Sequence, residues 1–176
     1  MIPTLILAAG KGSRLGDLTK DIPKPMLDIA GKPCLERIVD YLNHYDITKI
    51  IMNVHYKPEI IANYFGNKLY YFYEPQLLGE FTTVNLIHNL LNCHTLMVVN
   101  GDTLTNCDLN AMIESHYQEG KRVTRFTVSG IYAGIKLIRC YSSEDREENY
   151  TQKDGWFIDI GTVEGLQKAR NYFKGK

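Results

Sequence analysis

The sequence has no excess of charge of either sign. Lysine and arginine total 20, aspartate and glutamate total 20, and the formal net charge is zero. A general nucleic-acid binder usually carries a strong positive excess, so no nucleic-acid partner is expected, although a small basic pocket for phosphate is compatible with this balance. No apolar run approaches the roughly 18 residues that cross a membrane, so no membrane partner is expected either. The first ten residues, Met1 to Gly10, lack a basic leader before their apolar stretch and read as a first strand rather than a signal peptide. Cys34, Cys93, Cys107 and Cys140 form no C-x-x-C pair and show no metal-ligand spacing. Reduced structural thiols in a cytoplasmic protein are the expectation. His44, His55, His88, His94 and His116 also lack ligand spacing and are expected to be solvated or structurally satisfied. There is no internal repeat and no low-complexity segment.

What is present is a soluble globular pattern, 44% hydrophobic and 23% charged over 176 residues, enough for one domain spanning 1–176. Thr4 to Ala8, Lys49 to Val54, Leu69 to Tyr73 and Thr95 to Val99 are short apolar runs of strand character. Between and after them, apolar residues recur at helical spacing behind Pro33 and over Glu59 to Phe65, Phe81 to Leu91, Leu109 to Tyr117 and Val163 to Phe173. Arg122 to Ile138 is rich in β-branched residues and predicts two strands around Gly130 or Gly134. Ser142 to Asp154 is charged and reads as an exposed loop, whereas Trp156 to Ile160 returns to strand character. Tyr70, Tyr71 and Tyr73 are expected to pack in strand and core. Strands alternating with helices predict an α/β sandwich with a mainly parallel sheet, whose ligands bind beyond the carboxyl ends of the strands.

Two clusters fall at those ends. The first is Leu7-Ala8-Ala9-Gly10-Lys11-Gly12-Ser13-Arg14-Leu15, followed by Pro23-Lys24-Pro25-Met26. Its glycines let the backbone approach an anion, and its free N–H groups can cradle phosphate oxygens. Arg14 offers a planar fork for a polyphosphate, and Lys24 a compact charge held between stiff prolines. The loop is neither a Walker pattern, which needs Gly-Lys-Ser/Thr after four intervening residues, nor a dinucleotide fingerprint, which needs a third glycine opening a helix. The second cluster is Asn100-Gly101-Asp102, after a central strand.

Leu7 to Met26 resembles the signature of the sugar-1-phosphate nucleotidylyltransferases, L-A-x-G-x-G-x-R-L, then T (Thr19), then P-K-P-M. Glu74 to Gly79 resembles the family's base-reading segment. Asn100-Gly101-Asp102 and Phe157-Ile158-Asp159-Ile160-Gly161-Thr162 resemble its two metal-binding segments. The resemblance implies a Rossmann-like three-layer α/β/α sandwich with a mainly parallel mixed sheet. It also implies an enzyme that joins a nucleoside triphosphate to a sugar 1-phosphate and releases pyrophosphate, with magnesium and no organic cofactor. Two anions must meet, so positive charge is the main catalytic requirement. By resemblance, Arg14 would hold the β- and γ-phosphates and the leaving pyrophosphate. Lys24 would hold the incoming sugar phosphate together with the α-phosphate. Leu7, Ala8, Ala9, Gly10, Lys11, Gly12, Ser13, Glu74 and Gly79 would bind the nucleotide, and Asp102 and Asp159 the metal, an ion that commonly takes one or two carboxylates plus substrate oxygens.

Family members often place Gln where this chain has Glu74. A carboxylate accepts only, which suits the adjacent N1–H and N2 donors of guanine, so GTP with a mannose- or heptose-type 1-phosphate is the leading pair. Gln76 is the competing base reader. A uridylyl-, cytidylyl- or thymidylyltransferase on another phosphate acceptor is the nearest alternative, and a non-catalytic nucleotide-binding subunit of the same fold is the rival class. Three features depart from the family. Gly79-Glu80-Phe81 replaces Gly-Thr-Ala, and a glutamate there would repel a triphosphate unless it points outward. Tyr132 replaces an Asn before Ala133-Gly134-Ile135. The segment between Asp108 and Ile138 is short and lacks the Glu-Lys pair that contacts the sugar. The abbreviated side, around residues 120–155, is compatible with a small or unusual acceptor, with completion by a partner subunit (a homo-oligomer among them), or with loss of function.

Overall fold

The computed structural model describes residues 2–139 and 146–175. The chain runs through β1 (Thr4–Leu7), β2 (Asp28–Ile29), β3 (Lys32–Pro33), α1 (Cys34–His44), β4 (Ile50–Val54), α2 (Pro58–Phe65), β5 (Tyr70–Tyr73) and α3 (Glu80–Leu91). It continues through β6 (Thr95–Asn100), β7 (Thr103–Thr105), α4 (Leu109–Glu119), β8 (Val123–Val128), β9 (Ile131–Arg139), β10 (Glu147–Thr151), β11 (Phe157–Asp159) and α5 (Val163–Phe173).

The main sheet has seven strands in the order β10-β8-β9-β6-β1-β4-β5. It is mostly parallel, and β9 alone runs antiparallel to its neighbours, β6 and β8. The central strands lack polar alternation because both faces are covered. On one face Leu5, Ile51, Leu96 and Val98 pack with Val84 and Ile87 of α3. On the other, Ile6, Met52, Met97 and Val99 pack with Leu35 and Ile38 of α1, Ile61 of α2 and Leu166 of α5. This is the three-layer α/β/α arrangement expected. Helix ends follow local chemistry. Asp108 accepts from the Ala111 N–H at the start of α4, and Thr162 from the Gly165 N–H at the start of α5. Pro58 opens α2 and Gly66 ends it at a φ of 57°. Among the described residues, no helix is long and apolar enough to cross a membrane.

Several expectations are corrected. The stretch read as an exposed loop from Ser142 to Asp154 contains β10, whose Glu147 to Thr151 add a parallel edge strand to β8. An edge strand can be polar, since only Tyr150 needs to pack, here on Phe126. The start of that stretch, 142–145, lies outside the described residues, as does Cys140. Cys34 and Cys107 are buried free thiols, in line with the expectation of reduced structural thiols. β11 does not join the main sheet but pairs antiparallel with β7, a strand too short for periodicity to reveal. The polar loop after β1 is wound into 3-10 turns at Ser13–Thr19 and Lys24–Met26. Tyr70 and Tyr73 are exposed, at 66% and 59%, because β5 is the other sheet edge, while Tyr71 is half-buried.

His116 on α4 is fully buried, its Nδ1 2.8 Å from Thr124 Oγ1. Burial, then the charges of Arg139 and His94, lowers its pKa from 6.5 to about 4. The unfolded chain takes up this proton near pH 6.5 and the folded chain only near 4. The corresponding stability, up to roughly 3 kcal/mol, is therefore present above pH 6.5 and lost as the pH falls towards 4. Thermal melts between pH 4 and 7 should show this slope, and His116→Leu should flatten it. An unchanged slope in the variant would remove His116 as its source.

Candidate active site

The carboxyl ends of β1, β4, β5 and β6 meet in a cleft of about 260 Å³. At two of its glycines, Gly12 and Gly101, contacts leave no room for a side chain. Gly12 has a φ of 69°, and a Cβ there would lie 2.8 Å from Lys24 Cβ. The glycine loop thus packs directly on the Pro-Lys-Pro turn. Thr19 ties the loop to itself, its Oγ1 donating to the carbonyls of Gly12 at 3.0 Å and Gly16 at 3.2 Å. Across the cleft the Gly101 N–H donates to Leu7 O at 3.0 Å, and a Cβ on Gly101 would stand 2.6 Å from that oxygen.

Lys24 and Asp102, far apart in sequence, form an ion pair with little solvent exposure. Asp102 is followed at once by β7, and the Ile160 N–H donates to Asp102 O at 2.9 Å. In the pairing of β7 with β11, Asp159 stands opposite Thr103. One Asp159 carboxylate oxygen accepts from the Gly161 N–H at 2.5 Å. A Cβ on Gly161 would be 2.8 Å from both that oxygen and Arg14 Nη2, so guanidinium and carboxylate lie at most twice that distance apart. The four charged residues expected from the sequence thus form two opposite-charge neighbourhoods joined by the β7–β11 pairing.

Leu7, Ala9, Gly10, Lys24, Glu74, Gly79 and Asp102 line the cleft. Ala8, Lys11, Gly12, Ser13, Arg14 and Asp159 stand outside its lining. Ala8 and Gly12 shape the wall through their backbone, and Lys11, Ser13, Arg14 and Asp159 are exposed beyond it. Glu80 also lines the cleft, and its carboxylate is ion-paired with Lys136 of β9, so the repulsion expected of a lone glutamate is offset.

Glu74 is 1% exposed, and its carboxylate is engaged within the protein. Oε1 accepts from Asn53 Nδ2 at 2.9 Å and Thr83 Oγ1 at 2.5 Å, and Oε2 from the Leu78 N–H at 3.1 Å. Asn53 in turn accepts from the Ala8 N–H at 2.7 Å. A carboxylate has about four acceptor positions, so three are occupied and both guanine donors cannot be taken without displacing one. Gln76 is exposed. Asn53, Thr83 and Lys136 were not singled out from the sequence. The available signal for Asn53 was an amide inside the apolar run Ile50-Ile51-Met52-Asn53-Val54.

A larger cavity, about 330 Å³, lies under α1 and α5 and is lined mainly by apolar and aromatic groups including Leu104, Ile135, Trp156 and Phe173. Of its polar members, Arg37 and Tyr41 donate to backbone carbonyls and Asp40 is ion-paired with Lys32.

Residues 3–133 match the family model described as nucleotidyl transferase. The chain is similar to the D-glycero-alpha-D-manno-heptose 1-phosphate guanylyltransferase of Aneurinibacillus thermoaerophilus, 36% identical over 220 positions covering 94% of this chain and 96% of the relative. Those 220 positions exceed the 176 residues present here, so the relative carries residues with no counterpart in this chain. The chain is also 32% identical to the mannose-1-phosphate guanylyltransferase of Mycobacterium tuberculosis over 129 positions, 70% of this chain but only 36% of the relative. In fold it resembles the solved structure of HddC from Yersinia pseudotuberculosis, with a TM-score of 0.83 at 24% identity, covering 99% of this chain and 100% of that one.

Glu74→Gln sets an amide N–H₂ among three donors. It should destabilise the fold by about 1–3 kcal/mol, the cost of an unsatisfied buried group, read as a lower melting temperature. A variant as stable as the parent would show that these donors do not need the charge.

Proposed function

The chain belongs to the nucleotidyl transferase family, and from that premise we propose that it transfers the GMP moiety of GTP to a heptose- or mannose-type sugar 1-phosphate, releasing pyrophosphate. The observation that carries the reading is the pairing of Lys24 with Asp102 in a cleft walled by the glycine loop. It sets one cation where two phosphates have to meet and beside one of two paired carboxylate strands. The end-to-end alignment with a heptose 1-phosphate guanylyltransferase supports the choice of base and acceptor. The preference for GTP rests on that likeness more than on Glu74, which acts here by holding the base-side loop, with at most one acceptor position left for guanine.

In this reading the N–H groups of the glycine loop cradle the triphosphate, and Lys24 draws the α-phosphate and the acceptor phosphate together. The acceptor oxygen attacks the α-phosphorus as its bond to the β-phosphate oxygen breaks. Arg14, exposed at the rim, takes the negative charge that builds on the leaving pyrophosphate. A divalent cation fits the donor set. Asp102 directly precedes β7 and Asp159 ends β11, so the pairing of these strands sets the two aspartates on adjoining segments. Two carboxylates completed by substrate oxygens suit magnesium, which would supply charge neutralisation to the phosphates.

Pyrophosphate release with four triphosphates and several sugar 1-phosphates tests the reading. GTP with the heptose or mannose compound should be turned over fastest, and a faster reaction with UTP would overturn the base assignment while leaving the enzyme class intact. Lys24→Ala should slow turnover by at least ~100-fold with the fold preserved, the scale of one lost transition-state charge contact. Asp159→Asn should abolish magnesium-dependent release, and near-normal rates in that variant would remove Asp159 from the metal site.

A further inference from the structure

We propose that Tyr132 and Lys136 of β9 form the subsite for the sugar 1-phosphate, with Glu80 as the resting counter-ion that Lys136 exchanges for the acceptor's phosphate. The proposal rests on the reading of the cleft given above and adds the residues that would take its second substrate.

The placement follows from register. β9 lies beside β6, the strand that ends at Asn100 and leads into Asp102, with Lys136 opposite Val98. The pairing with β8 is irregular between them, but Lys136 stands opposite Arg125 and Tyr132 opposite Thr127, two residues apart on β8, so both turn to the same face, the one that α3 covers. Arg125 of β8 is the cross-strand partner of Lys136.

The Tyr132 hydroxyl oxygen is buried and has no hydrogen-bond partner among the described residues. Buried hydroxyls are seldom left so, and one that is calls for an explanation such as a ligand. Burial first, then the negative charge of Glu80, raises its pKa against the opposing charge of Arg125, with a weaker contribution from Asp102, which keeps it a donor at neutral pH. The hydroxyl thus lies within the field of Glu80, Arg125 and Asp102.

Lys136 is mostly buried, with its side chain 16% exposed, whereas its partner Glu80 is 46% exposed. Glu80 borders the cleft that holds Lys24 and Asp102, and together with Lys136 it also borders an adjoining cavity of about 390 Å³. The ion pair therefore stands between the nucleotide cleft and a second space large enough for a small polar ligand. Among the described residues Lys24 is the only cation lining the cleft, and Asp102 already neutralises it. A sugar phosphate dianion entering beside a triphosphate needs another positive group, and Lys136 is one that a single side-chain movement releases. Glu80 can let go because it is the first residue of α3, where the helix N-terminus favours a carboxylate without lysine. Tyr132 then donates to an oxygen of the acceptor while Lys136 neutralises its phosphate.

The test uses the full chain with D-glycero-D-manno-heptose 1-phosphate and mannose 1-phosphate. Binding is measured by calorimetry, and KM for each substrate by pyrophosphate release. Tyr132→Phe and the double variant Glu80→Gln/Lys136→Met should each weaken sugar phosphate binding, and raise its KM, by roughly tenfold or more, and Tyr132→Phe should leave KM for GTP within about twofold. The double variant removes both charges, so a Lys136 that merely neutralises Glu80 predicts parental affinity, and that result overturns the proposal. Binding needs no turnover. A parent chain that binds the sugar phosphates, with weaker binding in the variants but no pyrophosphate release, keeps the subsite and overturns the reaction. Turnover unaffected by either variant overturns the subsite and keeps the reaction, and a parent chain that binds neither compound overturns the subsite.

Discussion

A buried chain of hydrogen bonds centred on Asn53 and Glu74 holds the cleft together. It begins at the Ala8 N–H of the glycine loop, passes through the Asn53 amide to the Glu74 carboxylate, and ends at Thr83 of α3 and the Leu78 N–H. The glycine loop, the base-side loop and the start of α3 are thereby tied to β4. In a low-dielectric interior such bonds strengthen one another, and leaving any member unpaired is costly, so the network favours one arrangement of the loops over many. The glycine wall and the base-side loop are consequently set relative to each other before any ligand arrives, which reduces the ordering that binding would otherwise require.

The charged groups depend on that frame. Lys24 can meet Asp102 only because Gly12 admits the Pro-Lys-Pro turn and Gly101 lets β6 close on β1. Asp159 arrives through β11, which pairs with β7 directly after Asp102. Lys24 and Arg14 each have a carboxylate nearby, so anionic substrates would have to exchange these partners rather than simply add to them. Positive charge held in reserve in this way suits a reaction between two anions, because the cations are already placed where charge must be accommodated.

Glu80 shows how the short side of the molecule is balanced. At the position where the family pattern has threonine, this chain places a carboxylate at the first turn of α3 and an answering lysine on β9. Strands β8 and β9 are joined by a tight turn at Ser129–Gly130, both with positive φ. The proposed acceptor side is therefore built from strand-borne groups, with Tyr132, Lys136 and Arg125 on one face of the sheet.

The local chemistry was legible in the sequence. Apolar runs without alternation specify strands buried on both faces, proline marks the starts of α1 and α2 and glycine the end of α2, and the glycine loop with its Arg14 and Lys24 announces an anion site. Each of these depends only on neighbouring residues and on the backbone angles they allow. Tertiary structure alone decided the rest. Strands as short as β7 and the polar edge strand β10 form because a partner supplies their hydrogen bonds, which no periodicity records. Glu74 looked available to a base, yet Asn53 and Thr83, distant in sequence, take its acceptors. Glu80 looked repulsive, yet Lys136 lies against it. The sequence by itself determined which groups could bind phosphate; only the fold decided which of them are already spoken for, because burial makes each charge and hydrogen-bonding group find a partner wherever the chain happens to bring one.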